Sequence, residues 1–404
     1  MKRTRVNALD VGTTKICTLM ADIDESGLPR IIGVGIAPSR GLQKGVVVDY
    51  SEARKAIRES IDRAEQISGS RMDSAIVGVT GKHIASENNR GVVAITRDKR
   101  VVRRNDLERV QEVARNINVP PDRELLHVIP RSYAVDGQDK VDNPVGMHGF
   151  RLDIEAHMIT ASVTSVRNLA KCISSVGVEI KDMVLEPLAS AESVLTDEER
   201  QRGVLLADIG GGTTDIAIFK NESIFHTSVL PVAGYQFSHD LAVGLEIPYE
   251  QAEDLKKRYG DVMPVSGSEK DRDVNEYGQA FSYHQLSDIL RLRAEELLRL
   301  IRFELPQQDV RDYSDFIPSG IVLTGGSSNI LGIAELGGKV TRLPVRLGTP
   351  FNLYGIADSL CDPAYATAVG LLLWKRDIPV EQNSWKQKTG LKRYFSDALA
   401  ALAK

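Results

Sequence analysis

Two stretches of this chain set a carboxylate, a glycine turn and neighbouring threonine hydroxyls in one order. Near the N-terminal end, Asp10, Gly12, Thr13, Thr14 and Lys15 follow a mostly apolar run from Val6 and lead into Ile16 and Cys17. Farther on, Val204, Leu205, Leu206 and Ala207 stop at Asp208, open into Gly210, Gly211, Gly212, Thr213, Thr214 and Asp215, and give way to Ile216, Ala217, Ile218 and Phe219. Apolar runs this short, rich in branched residues and flanking a glycine cluster, predict two buried strands of one hairpin with the turn as the site. Successive glycines let the backbone take positive φ and bring unobstructed N–H groups to a ligand, and the threonines add hydroxyl donors, which is the chemistry of a phosphate cradle. Asp10, Asp208 and Asp215 stand where carboxylates could hold a magnesium ion riding on those phosphates, mainly through its water shell. Lys15 supplies the point charge that glycine amides cannot. For one such turn an ordinary glycine-rich hairpin is an equal reading; the second copy argues against it.

Each copy is followed by a further strand-like run, 30–35 in one case and 222–227 in the other, so the chain carries its own fold twice. Repeated units that each bring a phosphate turn predict two related lobes facing each other across one nucleotide. A third piece, 320–328, is a strand running into Thr324, Gly325, Gly326, Ser327 and Ser328, followed by helix-like Asn329, Ile330 and Leu331. The three pieces, in this order, resemble the phosphate 1, phosphate 2 and adenosine motifs of the actin, Hsp70 and sugar kinase superfamily. The resemblance implies an α/β chain with a duplicated actin-like ATPase fold, two lobes around a nucleotide cleft, and ATP with Mg2+ as cofactors. It also implies that Glu253 and Lys256 meet the ribose and adenine, although by themselves they read as a solvated helix face with paired charges. Glu186, in the segment 185–191, resembles a chaperone glutamate that would orient the attacking water. The plain alternative is a strand-ending charge ahead of a helix opened by Pro187.

The elements that must position these residues follow from periodicity. A helix is expected over 51–68, capped by Ser51 and closed by Gly69, after a turn at Ser26 and Gly27; strand 75–79 then returns to the sheet. Residues 83–162 lack a phosphate turn and read as an inserted small α/β domain, with a helix over 106–116 and strands at 91–95, 125–130 and 154–160. His127, His148 and His157 lie there at spacings that form no metal motif, which favours structural roles. The first lobe is expected at 1–82 and 163–196 and the second at 197–376, with helices at 166–176, 235–245, 249–259 and 284–305 and a last core helix at 365–376. On the long helix, Leu286, Ile289, Leu290, Leu297, Leu300 and Ile301 are expected to face the core. Residues 261–284 read as polar and peripheral.

With 404 residues there is room for two or three cored domains, and a net charge of −4 argues against a general affinity for nucleic acid. Cys17, Cys172 and Cys361 form neither a metal spacing nor a disulfide framework, which suits a reducing cytosol. Past a linker at 377–384, residues 385–404 place Leu391, Phe395, Ala398, Leu399 and Leu402 on one helical stripe behind Trp385 and a basic start that includes Lys392 and Arg393. Such a helix would lie in an anionic membrane interface rather than cross it; docking on the protein's own body is the alternative.

A sugar kinase would need a second substrate pocket that no segment nominates, and a chaperone would need a peptide-binding module. The motif order, the insertion after Gly81, the stretches 126–130 and 143–146 and the basic amphipathic terminus resemble the FtsA family of bacterial actin-like division proteins. That resemblance implies a self-polymerising ATP-binding protein that tethers FtsZ by its C-terminal peptide to the cytoplasmic face of the membrane at the septum and recruits later divisome proteins. It makes Arg293 and Glu296 candidates for the FtsZ contact. The pilus-assembly ATP-binding proteins, PilM-like, share the fold and insertion and are the runner-up; the terminal anchor separates the two.

Overall fold

The computed structural model of the chain describes residues 4–23, 28–96, 100–116, 118–264, 272–306, 312–356 and 358–374. The expected turn at Ser26 and Gly27, the linker 377–384 and the amphipathic helix carrying Trp385, Leu391, Lys392, Arg393, Phe395, Leu399 and Leu402 lie outside the described residues. The first lobe begins with β1 (Thr4–Val11), β2 (Lys15–Ile23) and β3 (Pro29–Pro38), an antiparallel meander. A short hairpin of β4 (Leu42–Gln43) and β5 (Val46–Val47) leads to α1 (Tyr50–Ser68), and β6 (Ser74–Val79) returns parallel to β1. The cap of α1 is Asp49 rather than Ser51: its carboxylate accepts the Glu52 N–H at 3.0 Å, and an acidic cap also suits the positive end of the helix dipole. Gly69, at φ 63°, closes that helix in the left-handed conformation that glycine adopts without penalty.

The insertion comprises β7 (Ala85–Ala94), α2 (Arg104–Arg115), β8 (Arg123–Val135), β9 (Gln138–Val141) and β10 (Arg151–Ser162), in a separate sheet of order β7-β10-β8-β9. Its own core, with Val93, Val110, Leu152, Ile154 and Met158, explains why its period-2 runs need no help from the main sheets. The chain then returns through α3 (Val163–Ser174), β11 (Glu179–Leu185), α4 (Glu186–Val194) and α5 (Asp197–Arg202).

The second lobe repeats the first. After β12 (Val204–Ile209), β13 (Thr214–Lys220) and β14 (Ser223–Leu230) come α6 (Gly234–Gly244), α7 (Tyr249–Tyr259), β15 (Asp273–Glu276), β16 (Gln279–Ser282), α8 (Tyr283–Phe303), α9 (Tyr313–Phe316), β17 (Ile321–Thr324), α10 (Ile333–Thr341), β18 (Val345–Leu347), β19 (Tyr354–Gly355) and α11 (Ala366–Leu373). One sheet runs β11-β6-β1-β2-β3-β19 and the other β14-β13-β12-β17-β18. In both, an antiparallel meander continues through two parallel strands, so the duplication holds at the level of strand order.

Four expectations need correction. Residues 261–284 contain the hairpin β15–β16, whose Val274 and Phe281 are buried against α8 and its neighbours; alternating polar residues hid a two-sided strand pair. The buried stripe of α8 is Leu286, Leu290, Ala294, Leu297, Leu298 and Ile301, while Ile289 and Leu300 are only half-buried. Asn329 to Leu331 do not start a helix: a 3₁₀ turn spans Gly326–Asn329, and Gly332, at φ 79°, delays α10. Finally, the chain beyond β18 leaves the second lobe, since β19 pairs with β3 and α11 packs on α4 and on the first sheet, burying Ala366, Ala368, Val369 and Leu371 among Ala8, Cys17 and Leu19. Of the three cysteines, Cys17 and Cys172 are buried and Cys361 is exposed.

Candidate functional site

The two glycine-threonine turns meet. A Cβ placed on Gly211 would lie 1.8 Å from the Thr14 hydroxyl, and one on Gly212 would lie 2.7 Å from the Thr13 hydroxyl. Glycine is therefore required here by close approach and not by dihedral angle: neither Gly12 nor Gly210, Gly211 or Gly212 adopts the left-handed φ that the triple glycine suggests. At Gly12 the nearest obstruction would be the Lys15 carbonyl, 2.9 Å away. The third turn joins them. Gly325, at φ 84°, leaves no room for a side chain beside Asp208 Oδ1, and the Ser327 hydroxyl donates to the Gly210 carbonyl at 2.8 Å. Gly326 stands in the same turn, where a Cβ would have Ala364 at 3.6 Å.

Strand register places the carboxylates. Asp10 pairs across from Cys17, and Asp208 from Asp215, so every one of them sits at a strand end at the turn's foot. All three are buried, as is Glu186, which is 8% exposed at the start of α4. Burial raises Asp10 to about 6, with Lys15 opposing and Asp208 adding to the rise. Burial likewise raises Asp215 to about 7, against the Thr80 hydroxyl, with Asp208 reinforcing it. Asp208 is raised by burial while the hydroxyls of Ser190 and Thr367 donate to it at 2.5 and 3.0 Å and oppose the rise. Glu186 is held well above the usual carboxylate range by burial and then by Asp10, Asp215 and Asp208, and its Oε1 has no hydrogen-bond partner. A buried site with four neighbouring carboxyl groups and an unmatched acceptor is electrostatically set to welcome a cation or a water. Among the described residues no three His, Cys, Asp or Glu side chains converge into a direct metal cage. A magnesium ion on a phosphate, held through its own waters, fits that donor set.

Thr13 accepts the Gly45 N–H at 3.3 Å, and Thr213 and Thr80 both donate to Asp215, Thr213 at 3.0 Å. Thr214 is turned away, donating to the Val232 carbonyl at 2.7 Å. Lys15 reaches from the first turn to the Ala364 carbonyl and stacks 4.3 Å from the Tyr365 ring centroid. On the other flank, Lys256 binds Glu253 at 2.7 Å and the Gly234 carbonyl at 3.2 Å, and Gly234 donates to Gly210. Lys256 is thus buried and not part of a solvated face, and burial lowers its ammonium against the pull of Glu253. Arg293 and Glu296 pair with each other on α8, and Arg293 also binds Asp240 of α6 at 2.5 Å. Neither contacts the turns. The open groove along α1 lies apart as well and carries ion pairs such as Arg58–Asp62 at 2.7 Å.

Sequence reasoning missed Thr80, Ser190, Tyr365 and Thr367. Tyr365 and Thr367 follow the capping Asp362-Pro363 pair ahead of α11, and Ser190 lies in the segment 185–191 beside Glu186; Thr80 carries no such local signal. His127 and His157 are structural: the first accepts the Leu185 N–H at 3.0 Å, and the second bridges Asn88 and Thr227 at 2.7 and 2.9 Å, tying the insertion to β14.

The family model described as Cell division protein FtsA matches residues 205–370, and that described as SHS2 domain inserted in FTSA matches residues 81–160. The Cell division protein FtsA of Pseudomonas aeruginosa is 42% identical over 371 residues, covering 91% of this chain and 88% of that one. Among solved structures, the PilM-PilN type IV pilus biogenesis complex aligns with a TM-score of 0.65 at 17% identity, over 92% of this chain and 98% of that one. MreB 5 of Spiroplasma citri bound to AMPPNP aligns at 0.56 and 15%, over 96% and 99%. At these identities the structural likenesses carry the fold alone, an actin-like ATPase fold with an inserted SHS2 domain, so the pilus-assembly alternative rests on shape.

Proposed function

Because this chain belongs to the FtsA family of cell division proteins, we propose that it is an ATP-binding, self-polymerising division protein that tethers FtsZ filaments to the cytoplasmic face of the membrane at the septum and recruits later divisome proteins. The observation that carries the reading is the contact of the two turns at Thr14 and Gly211 above a floor of buried carboxyl groups. Gly210 to Thr213, Thr13, Thr14 and Lys15 hold the phosphates; Gly325 to Ser327 with Glu253 and Lys256 hold the adenosine. Asp10, Asp208 and Asp215 orient magnesium through its waters, and the ion, when bound, neutralises phosphate oxygens. Glu186 positions a water, with hydrolysis slow at most. Among the described residues no helix is long and apolar enough to cross a membrane; the anchor in this reading is the segment 385–404, by the amphipathic pattern of its sequence, and polymerisation multiplies its weak single attachment. Arg293 and Glu296 are the proposed contact for the FtsZ C-terminal peptide.

The test is co-pelleting with FtsZ on anionic vesicles, with and without ATP. ATP should increase recovery, and truncation after Arg376 should abolish it. Asp208→Ala and Gly211→Val should each lose at least about tenfold in ATP affinity, since the first removes an organising charge and the second drives a side chain into Thr14. Normal ATP binding by both variants rejects the site.

A further inference from the structure

All three turns of the cleft grip one short segment of chain, residues 362–367, and that segment opens α11. The Lys15 ammonium donates to the Ala364 carbonyl and lies 4.3 Å from the centre of the Tyr365 ring. Gly325 donates its N–H to the Pro363 carbonyl at 3.1 Å, and Thr367 donates to Asp208 at 3.0 Å. From there α11 runs through the interior with Ala368, Val369 and Leu371 fully buried, and Gly370 fits so closely against α4 that a Cβ would lie 1.7 Å from the Ala189 carbonyl. A helix packed this tightly moves as a rod, because neighbouring side chains have no slack to absorb a shift at one end. Its far end is Trp374, whose ring sits 5.9 Å from that of His127 in the insertion. His127 in turn accepts the N–H of Leu185, the residue before Glu186.

We propose that Lys15 is a switch contact shared between nucleotide phosphates and the start of α11, so that filling the cleft draws its ammonium away from Ala364 and Tyr365 and moves Trp374 against His127. A phosphate oxygen is a far stronger partner for an ammonium than a neutral carbonyl and a ring, which fixes the direction of the exchange. The helix thereby carries cleft occupancy to the inserted domain and to the point where residues 375–404 begin. The proposal rests on the nucleotide reading of the cleft. Coupling is reciprocal: if nucleotide must displace the Tyr365 contact, then removing that contact must favour nucleotide.

The chain has two tryptophans, so the full-length Trp385→Phe variant, without vesicles, makes Trp374 emission a direct report. Addition of Mg-ATP should shift that emission and speed amide exchange in peptides covering 362–374. Tyr365→Leu should bind ATP about fivefold more tightly or better, and show little further emission change; Tyr365→Phe, which keeps a ring for the ammonium, should behave like the parent. Tight ATP binding with unchanged Trp374 emission and unchanged exchange overturns the switch and leaves the cleft reading intact. So does a Tyr365→Leu chain that binds ATP no more tightly. No ATP binding by the parent overturns both. Should Tyr365→Leu fail to fold, the exchange measurement on the parent decides.

Discussion

At the residue scale the site is a liability the fold accepts. Asp215 rises from an ordinary 3.8 to about 7, so the folded chain binds that proton more tightly than the unfolded one. Its contribution therefore turns progressively against folding as pH climbs from about 4 through 7. Asp215→Asn should remove the cost: nucleotide-free protein at pH 8 should melt roughly 2–4 °C higher than the parent, with the difference fading near pH 4. The same variant should lose at least tenfold in Mg-ATP affinity. A calorimetric scan showing lower melting at pH 8 contradicts the account. Glu186 has a buried Oε1 without a hydrogen-bond partner, which a water can fill. Glu186→Gln should keep ATP affinity within about threefold yet slow phosphate release by about 10²-fold, the usual weight of a positioned base.

At the scale of elements, the crossing of α4 and α11 decides whether both sheets share one interior. Gly370→Ala would push a methyl into the Ala189 carbonyl and should destabilise the chain by about 1–3 kcal/mol, read as a fall in denaturant midpoint with an unchanged slope. The insertion is tied to β14 by a different device. Burial, followed by the charges of His226, Arg131 and His127, lowers His157 to about 3; it is neutral when folded and protonates when unfolded. The stability it lends is present above about 6.5 and drains as pH falls from there toward 3. His157→Gln should loosen β7, β10 and β14 at pH 7, seen as faster amide exchange, and should flatten the acid loss between pH 6.5 and 4. Equal acid sensitivity in parent and variant would assign that loss elsewhere.

On the scale of the whole molecule, two copies of one meander enclose four raised carboxyl groups, and the proposed magnesium and phosphates would enter between them. Below the raised values of about 6 and 7 for Asp10 and Asp215 these groups carry protons and cannot help hold magnesium. The rise in melting temperature on adding Mg-ATP should therefore be larger at pH 8 than at pH 5.5. An equal rise at both values would mean that the ligand sits outside the carboxylate floor. Closing two lobes on one ligand is the expected use of a hinge-like duplicated fold, and α11, which starts at the cleft and ends at Trp374, is the described element that leads out of it toward 375–404.

The sequence by itself determined the duplicated hairpins, the insertion and the order of the three turns, because short buried strands and glycine breaks are local patterns that neighbouring residues suffice to specify. It also nominated Asp10, Asp208 and Asp215, since a carboxylate beside an apolar run and a glycine turn is visible without a partner; Glu186 was nominated by its resemblance to a chaperone glutamate. Only the tertiary structure decided why those glycines are glycines: Gly211 and Gly212 are constrained by Thr14 and Thr13, nearly two hundred positions away in the chain. It alone brought Thr80, Ser190, Tyr365 and Thr367 to the cleft and returned 354–373 to the first lobe. Single hydroxyls and one aromatic carry no periodic signal, and their roles exist only once distant segments pack against each other.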